Sequence, residues 1–108
     1  MNLPVYHHDR VIEALEAHYV WRTRNRSLDE AERWINEFAD AIEALRENAR
    51  THGKAAESSL FPFEVRELLF GLSAEPTHRA LYTIRPEMVF VFMIRHVSQR
   101  PISVDDLD

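Results

Sequence analysis

Cysteine is absent from this chain of 108 residues, and glycine and proline are scarce, with two and five residues. Without cysteine, a disulfide framework, a thiolate zinc site and a cysteine nucleophile are all excluded, and the reducing cytoplasm is the expected location. The low glycine and proline content excludes a collagen-like protein or a flexible linker. Long uncharged apolar runs are missing, and the N-terminal residues lack the pattern of a signal peptide, so we expect neither a transmembrane helix nor a secreted protein.

Positive charge is also in short supply, because 13 Lys and Arg residues face 18 Asp and Glu residues, for a net charge of −5. An acidic chain is a poor electrostatic partner for nucleic acid phosphates, so we expect no direct stable binding to nucleic acid. The hydrophobic content of 45% is sufficient for one buried core. We therefore expect a single domain over residues 1–108.

Two amphipathic helices are predicted in the first half of the chain. Apolar residues recur at three- and four-residue spacing from Asp9 to Arg22, and again from Leu28 to about Arg50. Asp9 is the predicted N-cap of the first helix, and Ser27 with Glu30 has the pattern of a capping box before the second. The connection between them is short, so the helices should form an antiparallel hairpin.

The second half of the chain predicts strands, at Val65 to Gly71, His78 to Arg85 and Met88 to Val97. The N-terminal stretch LPVYHH predicts one further strand at a sheet edge. The last strand is apolar on both faces, with Met88, Phe90, Phe92 and Ile94 on one and Val89, Val91 and Met93 on the other. Such a strand lies in the middle of a sheet whose second face is covered. The predicted fold is therefore α+β, with the helical hairpin packed on one face of an antiparallel sheet.

Motifs for metals, nucleotides or a catalytic serine are missing from the sequence. His7 and His8 are adjacent in a strand and point to opposite faces, and the other histidines lack metal-ligand spacing. The two glycines stand alone, so there is no glycine-rich phosphate loop, and no serine lies in a nucleophile-elbow context. We expect neither a metal nor another cofactor.

Charged residues within the predicted strands are the remaining candidates for a site. Arg66, Arg79 and Arg95, the last followed by His96, interrupt apolar strands and should lie on or beside the sheet face that the helical hairpin leaves uncovered. Three arginines there would suit phosphates or carboxylates. The alternative interpretation is that each arginine pairs with a nearby acid such as Glu64, Glu67 or Glu87.

These residues fall within segments that resemble the RelE/ParE superfamily of bacterial toxin–antitoxin toxins, and most of all its ParE-like branch, also called plasmid stabilisation proteins. The resemblance covers essentially the whole chain. It depends on an ordered set of motifs: Ala56-Glu57-Ser58, Phe63 to Gly71, Arg79-Ala80-Leu81-Tyr82-Thr83-Ile84, Val89 to Ile94 followed by Arg95-His96, and Ser103 to Leu107. The turn at Leu72 to Thr77 and the hairpin at Arg85 to Met88 depart from the usual pattern.

The resemblance implies a small α+β toxin that is neutralised by an antitoxin wrapping around it. RelE-like members cleave mRNA on the ribosome, whereas ParE-like members inhibit DNA gyrase without nuclease activity. The acidic charge and the lack of a tyrosine after Tyr82 favour a gyrase inhibitor without catalytic residues. Its partner-binding residues would be Arg66, Arg79, Arg95, His96 and Leu107. The alternatives are a ribosome-dependent endoribonuclease that uses Arg66, Arg79 and His96 in catalysis, and a degenerate toxin that only binds its antitoxin.

Overall fold

The computed structural model describes residues 2–101, and begins with a short strand followed by two helices. Strand β1 spans Val5–His7, helix α1 spans Asp9–Asn25 and helix α2 spans Leu28–Glu43. The N-cap of α1 is His8 rather than Asp9, because Nδ1 of His8 accepts a hydrogen bond from the backbone N–H of Arg10 at 3.1 Å. Ser27 caps α2 as predicted, and its Oγ accepts from the backbone N–H of Glu30 at 3.0 Å.

The second helix is shorter than the sequence predicts. After Glu43 the chain turns at Ala44 into a single helical turn, α3, at Leu45–Asn48, followed by a 3₁₀ turn at Ala49–Thr51. Leu45 and Ala49 remain buried, so the apolar spacing continues although the helix axis does not. The hydroxyl of Tyr82 donates to the backbone carbonyl of Ala49 at 2.6 Å, which satisfies a carbonyl that has left the regular helix.

Four strands form one sheet in the order β1-β4-β3-β2, with β2 at Arg66–Phe70, β3 at His78–Ile84 and β4 at Val89–His96. The three later strands are antiparallel and lie within one residue of their predicted bounds at each end. Strand β1 lies at the sheet edge as predicted but pairs parallel to β4, so the sheet is mixed rather than antiparallel. The α+β class and the helical hairpin on the sheet are confirmed.

A bulge in β4 changes which side chains share a face. Leu81 lies opposite Met93 and Tyr82 lies opposite Val91, so Phe92 is the extra residue. Ile94 therefore packs in the core beneath the helices together with Val89 and Val91, although strict alternation predicts the opposite face for it. The predicted division of β4 into two faces holds only before this bulge.

The main core lies between the helical hairpin and the sheet and includes the fully buried Trp34, Phe38, Leu45 and Tyr82. A smaller apolar cluster lies on the opposite face, where Phe61 and Phe63 pack over Val65, Leu81 and Phe92. The segment that precedes β2 thus covers part of the second sheet face, as the apolar pattern of β4 predicts. Among residues 2–101, no helix is long and apolar enough to cross a membrane.

Candidate functional site

Arg79, a predicted site residue, lies inside the protein, and its side chain is only 9% exposed. Nη1 donates to Oε1 of Glu57 at 2.9 Å and to Oε1 of Glu67 at 3.1 Å, and Nη2 donates to Oε2 of Glu57. The hydrogen bond to Glu57 raises the pKa of Arg79 and outweighs the burial that lowers it. Two carboxylates therefore neutralise this guanidinium within the fold.

Local structure explains why Glu57 meets Arg79. Glu57 belongs to a 3₁₀ segment, Ala56–Leu60, that lies beside the start of β2. The backbone N–H of Ala55 donates to the carbonyl of Val65 at 2.8 Å, and the N–H of Val65 donates to Oγ of Ser58 at 2.9 Å. These two hydrogen bonds hold the segment against the sheet, so the carboxylate of Glu57 is fully buried beneath it.

Arg66 lies on the opposite face of the sheet from Arg79. It is opposite Tyr82, whose side chain lies in the main core, and cross-strand partners share a face. Its Nε donates to Oε1 of Glu64 at 2.9 Å, and its Nη1 donates to the carbonyl of His52 at 2.5 Å. Arg66 thus stabilises the loop before β2, and it does not join Arg79 in one site.

Arg95 and His96 also diverge, because neighbouring residues of a strand point to opposite faces. Arg95 lies opposite Arg79, and its Nη2 donates to the carbonyl of Arg100 at 2.8 Å. Its Nε is buried without a hydrogen-bond partner. His96 lies opposite His78, whose ring packs against the helices. Leu107, the last of the predicted site residues, lies outside the described residues.

Instead of an arginine cluster, the structure brings together three histidines from three elements. The ring centroids of His18, in α1, and His78, in β3, are 4.4 Å apart, and those of His78 and His96, in β4, are 5.1 Å apart. Trp34 of α2 packs against two of these rings, with its ring centroid 4.4 Å from that of His18 and 5.2 Å from that of His78. The only member of this cluster that the sequence singles out is His96.

The three histidines line two open cavities between α1 and the ends of β3 and β4. One has a volume of about 400 Å³ and is also lined by Arg95, and the other has a volume of about 370 Å³ and is also lined by Arg22 and Arg26. We call the two together the histidine groove and define it by His18, Trp21, Arg22, Arg26, His78, Arg95 and His96. Trp21 stacks on His18 with ring centroids 5.4 Å apart and is about half exposed. The guanidinium of Arg26 lies 6.0 Å from the centre of the Trp21 ring. The groove therefore combines an accessible aromatic surface with cationic and imidazole groups.

Hydrogen bonds determine which ring nitrogen of His18 and of His96 carries the proton and can donate it to a ligand. Nε of Arg22 donates to Nε2 of His18 at 2.9 Å, so the neutral ring of His18 carries its proton on Nδ1. The backbone N–H of Ser98 donates to Nδ1 of His96 at 3.0 Å, so the neutral ring of His96 carries its proton on Nε2. Within the described part of the chain, Nε2 of His96 has no hydrogen-bond partner, and it is a donor available to a ligand.

Burial keeps two of the three imidazoles neutral. Burial, with smaller contributions from Arg22 and His96, lowers the pKa of His18 to about 4. Burial, with smaller contributions from His18, His96 and Arg22, lowers the pKa of His78 to about 3. Among residues 2–101, no group of histidine, aspartate and glutamate residues has the geometry of a metal site. The groove is therefore suited to binding through imidazole and guanidinium donors, rather than to coordination of a metal.

The sequence contains a weak signal for this groove. His18 and Arg22 are four residues apart and therefore share one face of the predicted first helix. His78 begins one predicted strand and His96 nearly ends the next, so an antiparallel hairpin places them opposite one another. The missing information was which helix face contacts this end of the sheet, and residue spacing does not supply it.

No family model matches the sequence, and a search of curated proteins finds no match either. Among solved structures, a chain described as "Chromosomal ParDE TA system from P. aeruginosa" is similar, with a TM-score of 0.72 over 89% of this chain and 97% of that chain. The two chains share one fold. Their sequence identity is 16%, so the similarity concerns the fold. This ParDE-type fold is the one that the resemblance to the RelE/ParE superfamily implies.

Proposed function

We propose that this protein is the toxin of a type II toxin–antitoxin pair, and that it inhibits DNA gyrase by binding it. The supporting observation is the fold shared with a chain of a ParDE system along nearly the whole length of both chains. The net charge of −5 agrees with a protein target better than with a nucleic acid. The proposed location is the cytoplasm, where gyrase acts.

The environment of Arg79 favours binding over RNA cleavage. An endoribonuclease needs an accessible cation to stabilise the developing charge on the leaving oxygen. Arg79, which matches an arginine of the family motif, is enclosed by Glu57 and Glu67, and its charge is already neutralised. Arg66 is held by Glu64 and by backbone carbonyls. Neither guanidinium is free to contact RNA without breaking contacts that hold the fold together.

The proposed gyrase-binding surface includes the end of β4 and the residues that follow it. Arg95 and His96 form no ion pair among residues 2–101, and Leu107, which lies outside the described residues, is the third proposed contact. Gln99 fixes this end of the strand, because its Oε1 accepts from the backbone N–H of His96 at 2.8 Å. A chain shortened after Pro101 keeps Gln99 and removes Leu107, so it tests the residues that follow Pro101.

Purified protein, gyrase and relaxed plasmid DNA test this proposal directly. We expect loss of supercoiling or trapped cleavage complexes with the full chain, and weaker inhibition with the shortened chain and with Arg95→Ala. Arg24→Ala is the matched control, because Arg24 is an exposed arginine of α1 that is not among the proposed contacts. Normal gyrase activity together with cleavage of translated mRNA would establish the endoribonuclease alternative. Inactivity in both assays would instead indicate a degenerate toxin.

The second proposed partner is an antitoxin with a segment that folds on binding. Apolar side chains remain exposed on the outer surface of the helices and sheet, including Tyr6, Val20, Leu28 and Leu69. A partner segment that covers such residues gains hydrophobic stabilisation and becomes ordered as it binds. Co-expression with the product of the adjacent gene should yield a stable complex and relieve growth arrest. Failure to copurify and to relieve the arrest would contradict this part of the proposal.

A further inference from the structure

The histidine groove has an unusual charge environment for an acidic protein. Among residues 2–101, its lining contains imidazoles, guanidiniums and polar or apolar groups, but no aspartate or glutamate. Outside the lining, Oε2 of Glu30 in α2 accepts a hydrogen bond from Nη1 of Arg22 at 2.8 Å. In a chain with a net charge of −5, the titratable and charged groups that line this groove within residues 2–101 are thus all basic.

The groups that act on one another in the groove reinforce this imbalance. Arg22 and His96 contribute to the lowered pKa of His18. His18, His96 and Arg22 contribute in the same way to the lowered pKa of His78. Each of these neighbours is a base or a permanent cation, so the protonated forms of the imidazoles repel one another. An anion between them would remove that repulsion and favour protonation of the imidazoles that it contacts.

We propose that the histidine groove binds a tetrahedral oxyanion of the phosphate class, either free phosphate or the phosphoryl group of a phosphomonoester. Nε2–H of His96 supplies the first donor, and Arg26, which is exposed and lies over the Trp21 ring, supplies a cation. His18 and His78 approach from α1 and β3, so the basic groups surround one volume from three sides. Such an arrangement fits a tetrahedral dianion better than a planar carboxylate, which is best matched by one guanidinium fork.

Binding to this groove should be coupled to proton uptake. An imidazole that is neutral in the free protein gains a proton when the anion arrives, so affinity should increase as pH falls. One proton taken up corresponds to a change of up to about tenfold in affinity for each pH unit. Sulfate is the appropriate probe for this dependence because its charge is constant between pH 5.5 and 7.5, unlike that of phosphate.

Titration calorimetry on the full chain tests the proposal with sulfate, phosphate, adenosine 5′-monophosphate and acetate. We expect sulfate and phosphate to bind at least about tenfold more tightly than acetate, and sulfate to bind more tightly at pH 5.5 than at pH 7.5. His96→Phe should weaken binding by about tenfold or more, the usual effect of losing a hydrogen bond to a charged ligand. His7→Phe is the matched control, since His7 is an exposed histidine of β1, and should leave affinity unchanged.

The nucleotide distinguishes the two sources of the anion. Tighter binding of adenosine 5′-monophosphate than of phosphate assigns the groove to phosphomonoesters, whereas equal or weaker binding assigns it to free phosphate. If His96→Phe does not fold, Arg26→Ala replaces it, since Arg26 is exposed. Absence of sulfate binding at pH 5.5, equal affinity for acetate, or unchanged affinity in the groove variant would overturn the proposal. None of these results would affect the proposed interaction with gyrase, which is measured separately.

Discussion

Glu57 gives the sharpest test of how the interior is held together. Its carboxylate is fully buried and accepts two hydrogen bonds from Arg79, which Glu67 contacts from the partly exposed side. Glu57→Gln preserves the size of the side chain but leaves Arg79 with one carboxylate. Breaking a buried ion pair costs about 3–5 kcal/mol, because the remaining charge stays buried without full compensation. We expect the lower end of that range, about 3 kcal/mol, since Glu67 remains.

Urea unfolding monitored by circular dichroism measures this loss as a lower midpoint. The double variant Glu57→Leu with Arg79→Met removes both charges, and should be within about 1–2 kcal/mol of the parent protein, since apolar replacements of buried pairs are often tolerated. Glu37→Ala is the surface control, because its pair with Arg33 is well exposed and should contribute less than about 0.5 kcal/mol. A loss below about 1 kcal/mol for Glu57→Gln would refute the view that this network supports the fold.

Three further predictions concern the turn after β2, the core and the buried imidazoles. Gly71→Ala should strongly destabilise the folded protein, because an added Cβ would lie 2.4 Å from a backbone oxygen. Gly53→Ala should not, because a Cβ there meets nothing within 4 Å, and thermal unfolding of the two variants compares their stabilities. Tyr82→Phe should lower the free energy of unfolding by about 1–2 kcal/mol in urea titrations, because it leaves the buried carbonyl of Ala49 without a donor. Burial lowers the pKa of His78 to about 3, so the unfolded chain binds this proton at higher pH than the folded one. The free energy of unfolding should therefore fall as pH decreases from about 6.5 towards 3, and by less in His78→Phe, as urea titrations at several pH values would show.

Periodicity predicted most of the fold because apolar spacing reports directly on burial. The prediction of Ser27 as the N-cap of α2 is confirmed, and the predicted bounds of the three antiparallel strands agree with the structure to within one residue. The predicted end of α2 was wrong, because Leu45 and Ala49 stay buried after the helix ends at Glu43. The apolar spacing therefore continues past the end of the helix. The parallel direction of β1 depends on where the hairpin returns the chain, and no local pattern encodes that.

The arginine site was less predictable, because residue spacing does not show which partner a charged side chain finds. The alternative interpretation, in which each arginine pairs with a nearby acid, agrees with the contacts of Arg66 with Glu64 and of Arg79 with Glu67. It does not hold for Arg95, which forms no ion pair among residues 2–101. The second partner of Arg79 is Glu57, which lies 22 residues away and meets it only after the segment before β2 folds over the sheet. The partner-binding role of these arginines stays a prediction.

The parallel pairing of β1 with β4 also has a consequence for biosynthesis. Val5 of β1 pairs with Val89 of β4, so β1 cannot join the sheet until β4 has been synthesised. Contacts between such distant parts of the sequence slow folding, because the intervening chain must be ordered before they form. A nascent chain can form the helical hairpin and then β2 with β3, but it cannot complete the sheet until synthesis has passed β4. If the proposed function is correct, this fold cannot become toxic before β4 has been translated.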